Sequence, residues 1–329
     1  MDEHDWLADR FEEHRPHLRA VAYRMLGSLA EADDAVQDTW LRLSRAGAGE
    51  VENLGGWLTT VVARVCLNML RSRASRREEA LGVHLPDPVV SPAGALQPDE
   101  EAVLADSVGL ALLVVLDTLT PAERLAFVLH DMFQLPFEEI APMVGRSPAA
   151  ARQLASRARR RVRDAASPAP DPDLARQRDV VDAFFRAARA GDFDGLVALL
   201  DPEVVLRADF GVRRPAASRV TRGPAAVARQ ALLGALPGAQ LHPALVNGAA
   251  GAVVTVGGRP IAILGFTVSA GRVTEIDAFA DPDRSAGSPR PCSPGPRPPG
   301  PAAGRRRCGR GGARPTRPGR RRPAPRGAR

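Results

Sequence analysis

Residues Leu135–Arg163 read LPFEEIAPMVGRSPAAARQLASRARRRVR. The order predicts two helices joined by a tight turn. Phe137, Ile140, Ala141 and Val144 recur at helical spacing, and Gly145 then breaks the pattern. Ser147 suits an N-cap, and Pro148 suits the first helical position, where its missing N–H is not needed. In the second helix Ala151, Leu154, Ala158 and Val162 form a narrow apolar stripe, while Arg152, Gln153, Ser156, Arg157 and Arg160 fall on other faces. This is a helix-turn-helix arrangement. Small residues near the start of the second helix let it enter a major groove, and Arg and Gln then reach base edges or phosphates. An ordinary helical hairpin with a solvated basic face shares the same local pattern.

The 329 residues are enough for two or three domains. The formal charge of +7 conceals an asymmetry. From Ser285 onward there are 13 arginines and no acid, which leaves 32 basic against 38 acidic residues in 1–284. There is no lysine. Cys66, Cys292 and Cys308 suit neither a disulfide framework nor a zinc site, so no metal and no cofactor is expected. No apolar run is long enough to cross a membrane, and Met1–Arg10 is too polar for a signal peptide. A soluble cytoplasmic protein with no membrane attachment is expected.

Before the helix-turn-helix the pattern is helical. A helix over 6–28 buries Phe11, Leu18, Val21, Ala22, Met25 and Leu26, and Gly27-Ser28 ends it. A second spans about 30–46, with an opening, EADDAVQD, that is dense in acids. Those acids favour the helix dipole, and they also offer an acidic patch to a basic partner. A third runs from Trp57 to about Arg77, with Val61, Val62, Val65, Cys66, Met69 and Leu70 inward. Arg64, Arg71, Arg73, Arg76 and Arg77 make a cationic ridge suited to a phosphate backbone. Residues 78–101 are rich in Pro and acid and read as a linker without helix. An apolar helix resumes over 102–119. Thr120-Pro121-Ala122-Glu123 then forms a capping box for the helix that leads through Phe133 into the helix-turn-helix. SPAPDP, 167–172, is a second linker.

Three segments taken together, DDAVQDTWLRL, GWLTTVVARVCLNMLRSR and LTPAERLAFVLHDMFQLPFEEIAPMVGRSPAAARQLASRARRRV, resemble the two helical domains of extracytoplasmic-function sigma factors, in the same order and spacing. The resemblance implies that the first domain binds the RNA polymerase core (its beta-prime and beta subunits) and the promoter minus-ten element, and that the second binds the minus-thirty-five element. It places core binding on Asp33, Asp34, Val36, Gln37, Asp38 and Trp40. It places the minus-ten strand on Arg64, Asn68, Arg71 and Arg73, and promoter reading on Arg152, Gln153, Arg157 and Arg160. Trp57 could stack on a melted strand, but its apolar neighbours favour the core.

From Leu174 the reading changes to helices first and then strands, an α+β pattern. Two helices flank a Gly191-Asp192 turn, VVLRAD opens a strand, and Ala225–Leu236 is helical. Strands are expected at 241–246, 252–256, 261–268 and 272–277, in a curved antiparallel sheet. The stretch resembles SnoaL-like domains of the nuclear-transport-factor-two superfold, whose cone encloses a pocket and leaves room for a small ligand. Asp209, His242 and Asp277 are the available acid/base groups, but no paired constellation is visible and His242 reads as a strand-end surface residue, so no catalytic residue is assigned. Sigma factors with such an extension use it in place of a separate anti-sigma partner. His84-Leu85-Pro86-Asp87-Pro88 resembles that group's linker motif, which implies that Leu85, Pro86, Asp87 and Pro88 contact the extension. The group's glycine-rich motif after RAD is degraded here to Asp209-Phe210-Gly211-Val212, with Asp209 and Gly211 as its remaining site residues. Ala280-Asp281-Pro282-Asp283-Arg284 loosely matches a terminal motif. Beyond Arg284 the Pro, Gly, Ala and Arg composition cannot bury a core and predicts disorder.

The expected architecture is therefore multidomain. Two all-α sigma domains lie at 6–77 and 102–166, the second a helix-turn-helix, with a linker at 78–101. A second linker at 167–173 leads to an α+β SnoaL-like cone at 174–284 and a disordered basic tail at 285–329. The expected function is promoter-specific initiation with RNA polymerase core, under control of the fused C-terminal domain. A standalone helix-turn-helix regulator with a ligand-binding C-terminal domain is the alternative, and a SnoaL-like enzyme with a DNA-binding appendage is a third reading.

Overall fold

The computed structural model describes residues 3–46, 53–76, 83–93, 109–165, 170–211, 213–234 and 236–281. Arg77, the expected helix over 102–108, the start of the second linker, Val212, Pro282–Arg284 and the basic tail lie outside the described residues.

The first helical unit holds α1 (Glu3–Leu26), α2 (Leu29–Ala46) and α3 (Leu54–Arg76). The apolar stripe of α1 is buried as its spacing predicts, and Tyr23 and Arg24 are buried beside it. Helix α3 starts three residues earlier than the sequence suggests, because Asn53 Oδ1 accepts the Gly56 N–H at 3.0 Å and caps it.

In the second unit α4 (Leu110–Asp117) leads to α5 (Pro121–Phe127), whose Thr120–Glu123 capping box forms in full. The helix then widens into a π turn at Val128–Met132. Helices α6 (Phe137–Val144) and α7 (Pro148–Ala165) form the helix-turn-helix, with Gly145 left-handed at φ 67° between them. Ala151, Ala155 and Ala158 are fully buried in α7. Small side chains on this face bring α7 close to the rest of its unit.

The two helical units share one apolar core, in which Leu18, Met25 and Leu67 belong to the same cluster as Leu125, Val128 and Ile140. The fully buried Arg124 closes the seam between them. Its Nε donates to the Arg24 carbonyl at 3.2 Å and its Nη1 to Asp117 at 3.1 Å. Arg24 in turn stacks over Phe133, 5.2 Å from the ring centroid.

The C-terminal domain opens with α8 (Leu174–Ala190) and α9 (Phe193–Leu199), followed by β2 (Leu200–Asp209), β3 (Arg219–Arg222) and α10 (Pro224–Leu233). It closes with β4 (Ala239–Val246), β5 (Ala249–Val256), β6 (Arg259–Ser269) and β7 (Arg272–Phe279). The sheet is mixed rather than wholly antiparallel, since β2 pairs in parallel with β7. Two helices precede β2, and a long return brings β7 alongside it in the same direction. Helices cover one sheet face, where Phe184, Phe185 and Phe266 meet edge to face at 5.4 to 5.7 Å.

The other face is covered by the linker. Val90–Pro92, in a stretch read as irregular, forms β1 and pairs antiparallel with β4, Val90 opposite Val246. The sheet thus has seven strands in the order β1-β4-β5-β6-β7-β2-β3. Leu85 and Val90 join Leu110 of α4 and Ile263 and Phe279 of the sheet in a third apolar cluster. Gly265 makes room for this contact, since a Cβ there would lie 3.3 Å from Leu110 Cδ2 and from Val246 Cγ1.

Candidate functional site

The acidic helix α2 presents Asp33, Asp34 and Gln37 to solvent. Asp33 receives Arg19 at 2.6 Å and Asp38 receives Arg42 at 3.0 Å. Val36 is buried and Trp40 packs on Phe11 at 5.1 Å, so in this state both support the helix from within rather than offering contact surface. Leu41, which the sequence reading passed over, is 43% exposed one turn beyond Gln37 and adds an apolar point to the same acidic helix.

Asp34, Asp38 and Asn68 line one cleft of about 250 Å³ between α2 and α3, together with Arg42, Val65 and Met69. Expected core-binding and minus-ten residues therefore meet in one place. Arg64 and Arg71 are exposed on α3. Arg73 differs: it pairs with Glu31 and donates to the Leu26 carbonyl at 3.0 Å, which ties α3 to the ends of α1 and α2. Trp57 is half-buried against the core.

On α7 the basic residues divide by task. Arg159 binds Asp131 and Arg161 binds Glu123, each at 2.6 Å, and these pairs hold α7 to the preceding helices. Arg152, Gln153, Arg157 and Arg160 are exposed, and Arg152 also stacks over Phe137 at 5.2 Å. A face of free donors on a helix anchored from behind is what backbone and base-edge contact requires.

The linker residues form a second constellation. The Asp87 carboxylate accepts the Leu29 N–H at 2.9 Å and so caps α2 from outside its own segment, where the helix dipole favours an anion. The Asp87 N–H donates to the Gly27 carbonyl at 2.7 Å. Gly27 is left-handed at φ 70°, a conformation that favours glycine, and Pro86 and Arg124 pack beside it. Three segments meet at this glycine. The Tyr23 hydroxyl donates to the Asp87 carbonyl at 2.6 Å and accepts from Asn247 Nδ2 at 3.0 Å. Asn247 Oδ1 accepts the Val89 N–H at 3.0 Å, and its own N–H donates to the Val89 carbonyl at 2.8 Å. At the other end the buried Asp209 accepts the Leu85 N–H at 3.0 Å through one oxygen and the Gly211 N–H at 2.8 Å through the other. Leu85, Pro86 and Pro88 are buried. Tyr23, Gly27 and Asn247 carried no signal in the sequence that pointed to these contacts.

The acid/base groups of the C-terminal domain are distributed differently from the sequence reading. His242 is not a surface residue; it is half-buried within β4 and its Nε2 lies 2.9 Å from Thr255 Oγ1. Asp277 sits 3.1 Å from Arg207, which also holds Glu275 at 3.2 Å. Burial pushes the Asp277 carboxyl up to about 6, against the pull of Arg207.

Family models for sigma-70 region 2 and sigma-70 region 4 match residues 10–76 and 109–162. The extracytoplasmic-function RNA polymerase sigma factor SigJ of Mycobacterium tuberculosis is 43% identical over 295 residues, covering 85% of this chain and 93% of its own. The chain belongs to the extracytoplasmic-function RNA polymerase sigma factors. A probable member of the family from the same organism, SigI, is 36% identical over 86% of this chain and 96% of its own. The crystal structure of M. tuberculosis SigJ matches with a TM-score of 0.69 at 39% identity, over 86% of this chain and 99% of that one. As a sigma factor the chain binds RNA polymerase core and directs promoter-specific initiation. Its third domain is the α+β unit built on the mixed sheet. Among the described residues no helix is long and apolar enough to cross a membrane.

Proposed function

We propose that this sigma factor is held closed by its own C-terminal domain and works only when core polymerase opens it. Asp33, Asp34, Gln37, Asp38 and Leu41 make the core contact on the beta-prime and beta subunits. Arg64, Asn68 and Arg71 handle the minus-ten strand, and Arg152, Gln153, Arg157 and Arg160 reach the minus-thirty-five element. The protein acts in the cytoplasm, where polymerase and promoters are. In this reading sigma region 2 spans 6–77, region 4 spans 102–166 and the regulatory domain spans 174–284, and the pairing of Val90–Pro92 with β4 supports counting the first linker with the C-terminal sheet.

One observation carries this reading: the linker between the two sigma regions is the seventh strand of the C-terminal sheet, bonded on its other side to Gly27 and Leu29. The two promoter elements lie about 25 base pairs apart, roughly 85 Å at 3.4 Å per step. Two regions sharing one core form a body only about 40 Å across, so both elements are out of joint reach until the linker is freed. The fixed side chains Leu85, Val89 and Val90 contribute roughly 2 kcal/mol each, about 6 kcal/mol gross as an upper bound. A nanomolar polymerase interface supplies about 12 kcal/mol, enough to open the clamp at a cost in affinity. The Arg207–Glu275–Asp277 cluster is an ion-pair network within the sheet.

The test is run-off transcription with bacterial core polymerase, using the full chain and a form ending near Ser167. Promoter-specific transcript from both, stronger per molecule from the short form, supports the proposal. Equal output removes the closed-state control, and no transcript from either removes the assignment of polymerase- and promoter-contacting residues.

A further inference from the structure

Between Asp209 and Glu275 the chain holds seven arginines and no acidic residue. The fold gathers three of those arginines on the open edge of the sheet. Strand β3 is terminal and pairs only with β2, at the opposite edge from the linker strand. Arg219 and Arg222 on β3 and Arg214 in the turn before it are exposed. Arg214 and Arg219 both lie over the ring of Phe210, at 5.3 and 5.9 Å from its centroid. Packing against one ring gathers the two guanidinium groups at one place. Arg222 follows about 10 Å further along the strand, at 3.3 Å per residue, with its side chain leaving on the opposite face, so the arginines flank the open edge from both sides. Among the described residues no ion pair engages Arg214, Arg219 or Arg222. The Gly223 N–H bonds the Val204 carbonyl, so by alternation the N–H groups of Val220 and Arg222 point away from β2.

We propose that this arginine edge is a duplex-DNA contact that grips the phosphate backbone without reading sequence. Planar donors spread over about 10 Å match the backbone, which places one phosphate per 3.4 Å of axis on each strand. Phe210 is covered by its two arginines, so its face is closed to an unpaired base, which favours duplex over single strands. The inference rests on the sigma reading for one thing only: two DNA-reading helices in the same chain hold duplex at high local concentration, so weak phosphate contacts count. An arginine-rich edge also prevents sheet-to-sheet pairing, a role that predicts no effect on DNA.

The experiment is fluorescence anisotropy of the full chain on a labelled duplex across a salt series, without polymerase, so that its outcome is independent of transcription. The wild type is compared with R214Q/R219Q/R222Q and with R214K/R219K/R222K. Three lost phosphate contacts should flatten the log affinity against log salt slope by about 3 in the Gln variant, at roughly 0.9 per contact. The Lys variant should keep most of the slope. A Gln variant with the wild-type slope overturns the proposal, as does a Lys variant that loses as much as the Gln variant. A loss confined to single-stranded DNA overturns it as well.

Discussion

Replacing Tyr23 by Phe removes a single oxygen from the point where region 2, the linker and the C-terminal domain meet. Tyr23 is fully buried, so the ring keeps its packing and no surface changes. The hydroxyl serves two groups, the Asp87 carbonyl at 2.6 Å and the Asn247 amide at 3.0 Å. Each loses a hydrogen bond in a place shielded from water, at about 1 kcal/mol or more apiece. The clamp should weaken by roughly 2 kcal/mol, which at 1.4 kcal/mol per factor of ten is about a 30-fold shift toward the open form. Tyr23 touches neither the proposed polymerase face nor the DNA face, so intrinsic activity is preserved. Run-off transcription at limiting core polymerase should therefore rise toward the level of the form ending near Ser167. Hydrogen exchange at the Val89 and Asn247 amides, which bond across the same junction, should quicken in parallel. Faster exchange with unchanged transcription would refute the link between clamp and activity. Unchanged exchange would refute the energetic argument itself.

Further outcomes follow from the same structure. The raised value of Asp277 means that the native state holds a proton, between about pH 4 and 6, that the unfolded chain has lost. Stability should therefore fall as pH rises through that window and level off above it, by roughly 3 kcal/mol at 1.36 kcal/mol per unit. Denaturant titration of wild type against Asp277→Asn checks this, and a stability difference constant from pH 4 to 7 contradicts it. Arg157→Ala with Arg160→Ala should weaken minus-thirty-five binding and lower its salt slope by about two, with the melting temperature unchanged. Arg73→Ala should instead lower the melting temperature, because it removes the tie to Glu31 and Leu26. Burial pushes the Cys66 thiol up to about 12, so a thiol reagent at pH 8 should modify it only after unfolding; rapid modification of the native chain would place it at the surface.

What the sequence disclosed was mostly local. The helix-turn-helix was legible because Gly145, Ser147 and Pro148 act on their own neighbours, and the Thr120–Glu123 capping box for the same reason. The clamp depends on partners far apart in the chain. Val90–Pro92 is too short to show an alternation, and its mate lies more than 150 residues later in β4. The linker motif pointed to a contact with the extension only by resemblance, and gave no hint that Asp87 would also cap α2. Gly27 read as a helix end, which it is, but its carbonyl's bond to the Asp87 N–H and its packing beside Pro86 and Arg124 come from segments distant in the chain. Val36 and Trp40 matched a motif by position while facing inward, because a helix that offers one face to a partner must bury another. Strand β3 went unseen: four residues with two arginines resemble a loop until β2 supplies the pairing.

The most direct test of the closed state is a distance. With Cys66 buried and Cys292 and Cys308 replaced by Ser, one label would be attached at Ala74→Cys, exposed on α3, and one at Arg163→Cys on α7. Energy transfer or dipolar spectroscopy would then compare the free chain with the chain on core polymerase and promoter DNA. The closed-clamp account predicts a short separation in the free chain, within a body about 40 Å across, that lengthens toward roughly 85 Å in the promoter complex. A free chain already at the long distance, or a promoter complex that keeps the short one, would contradict it.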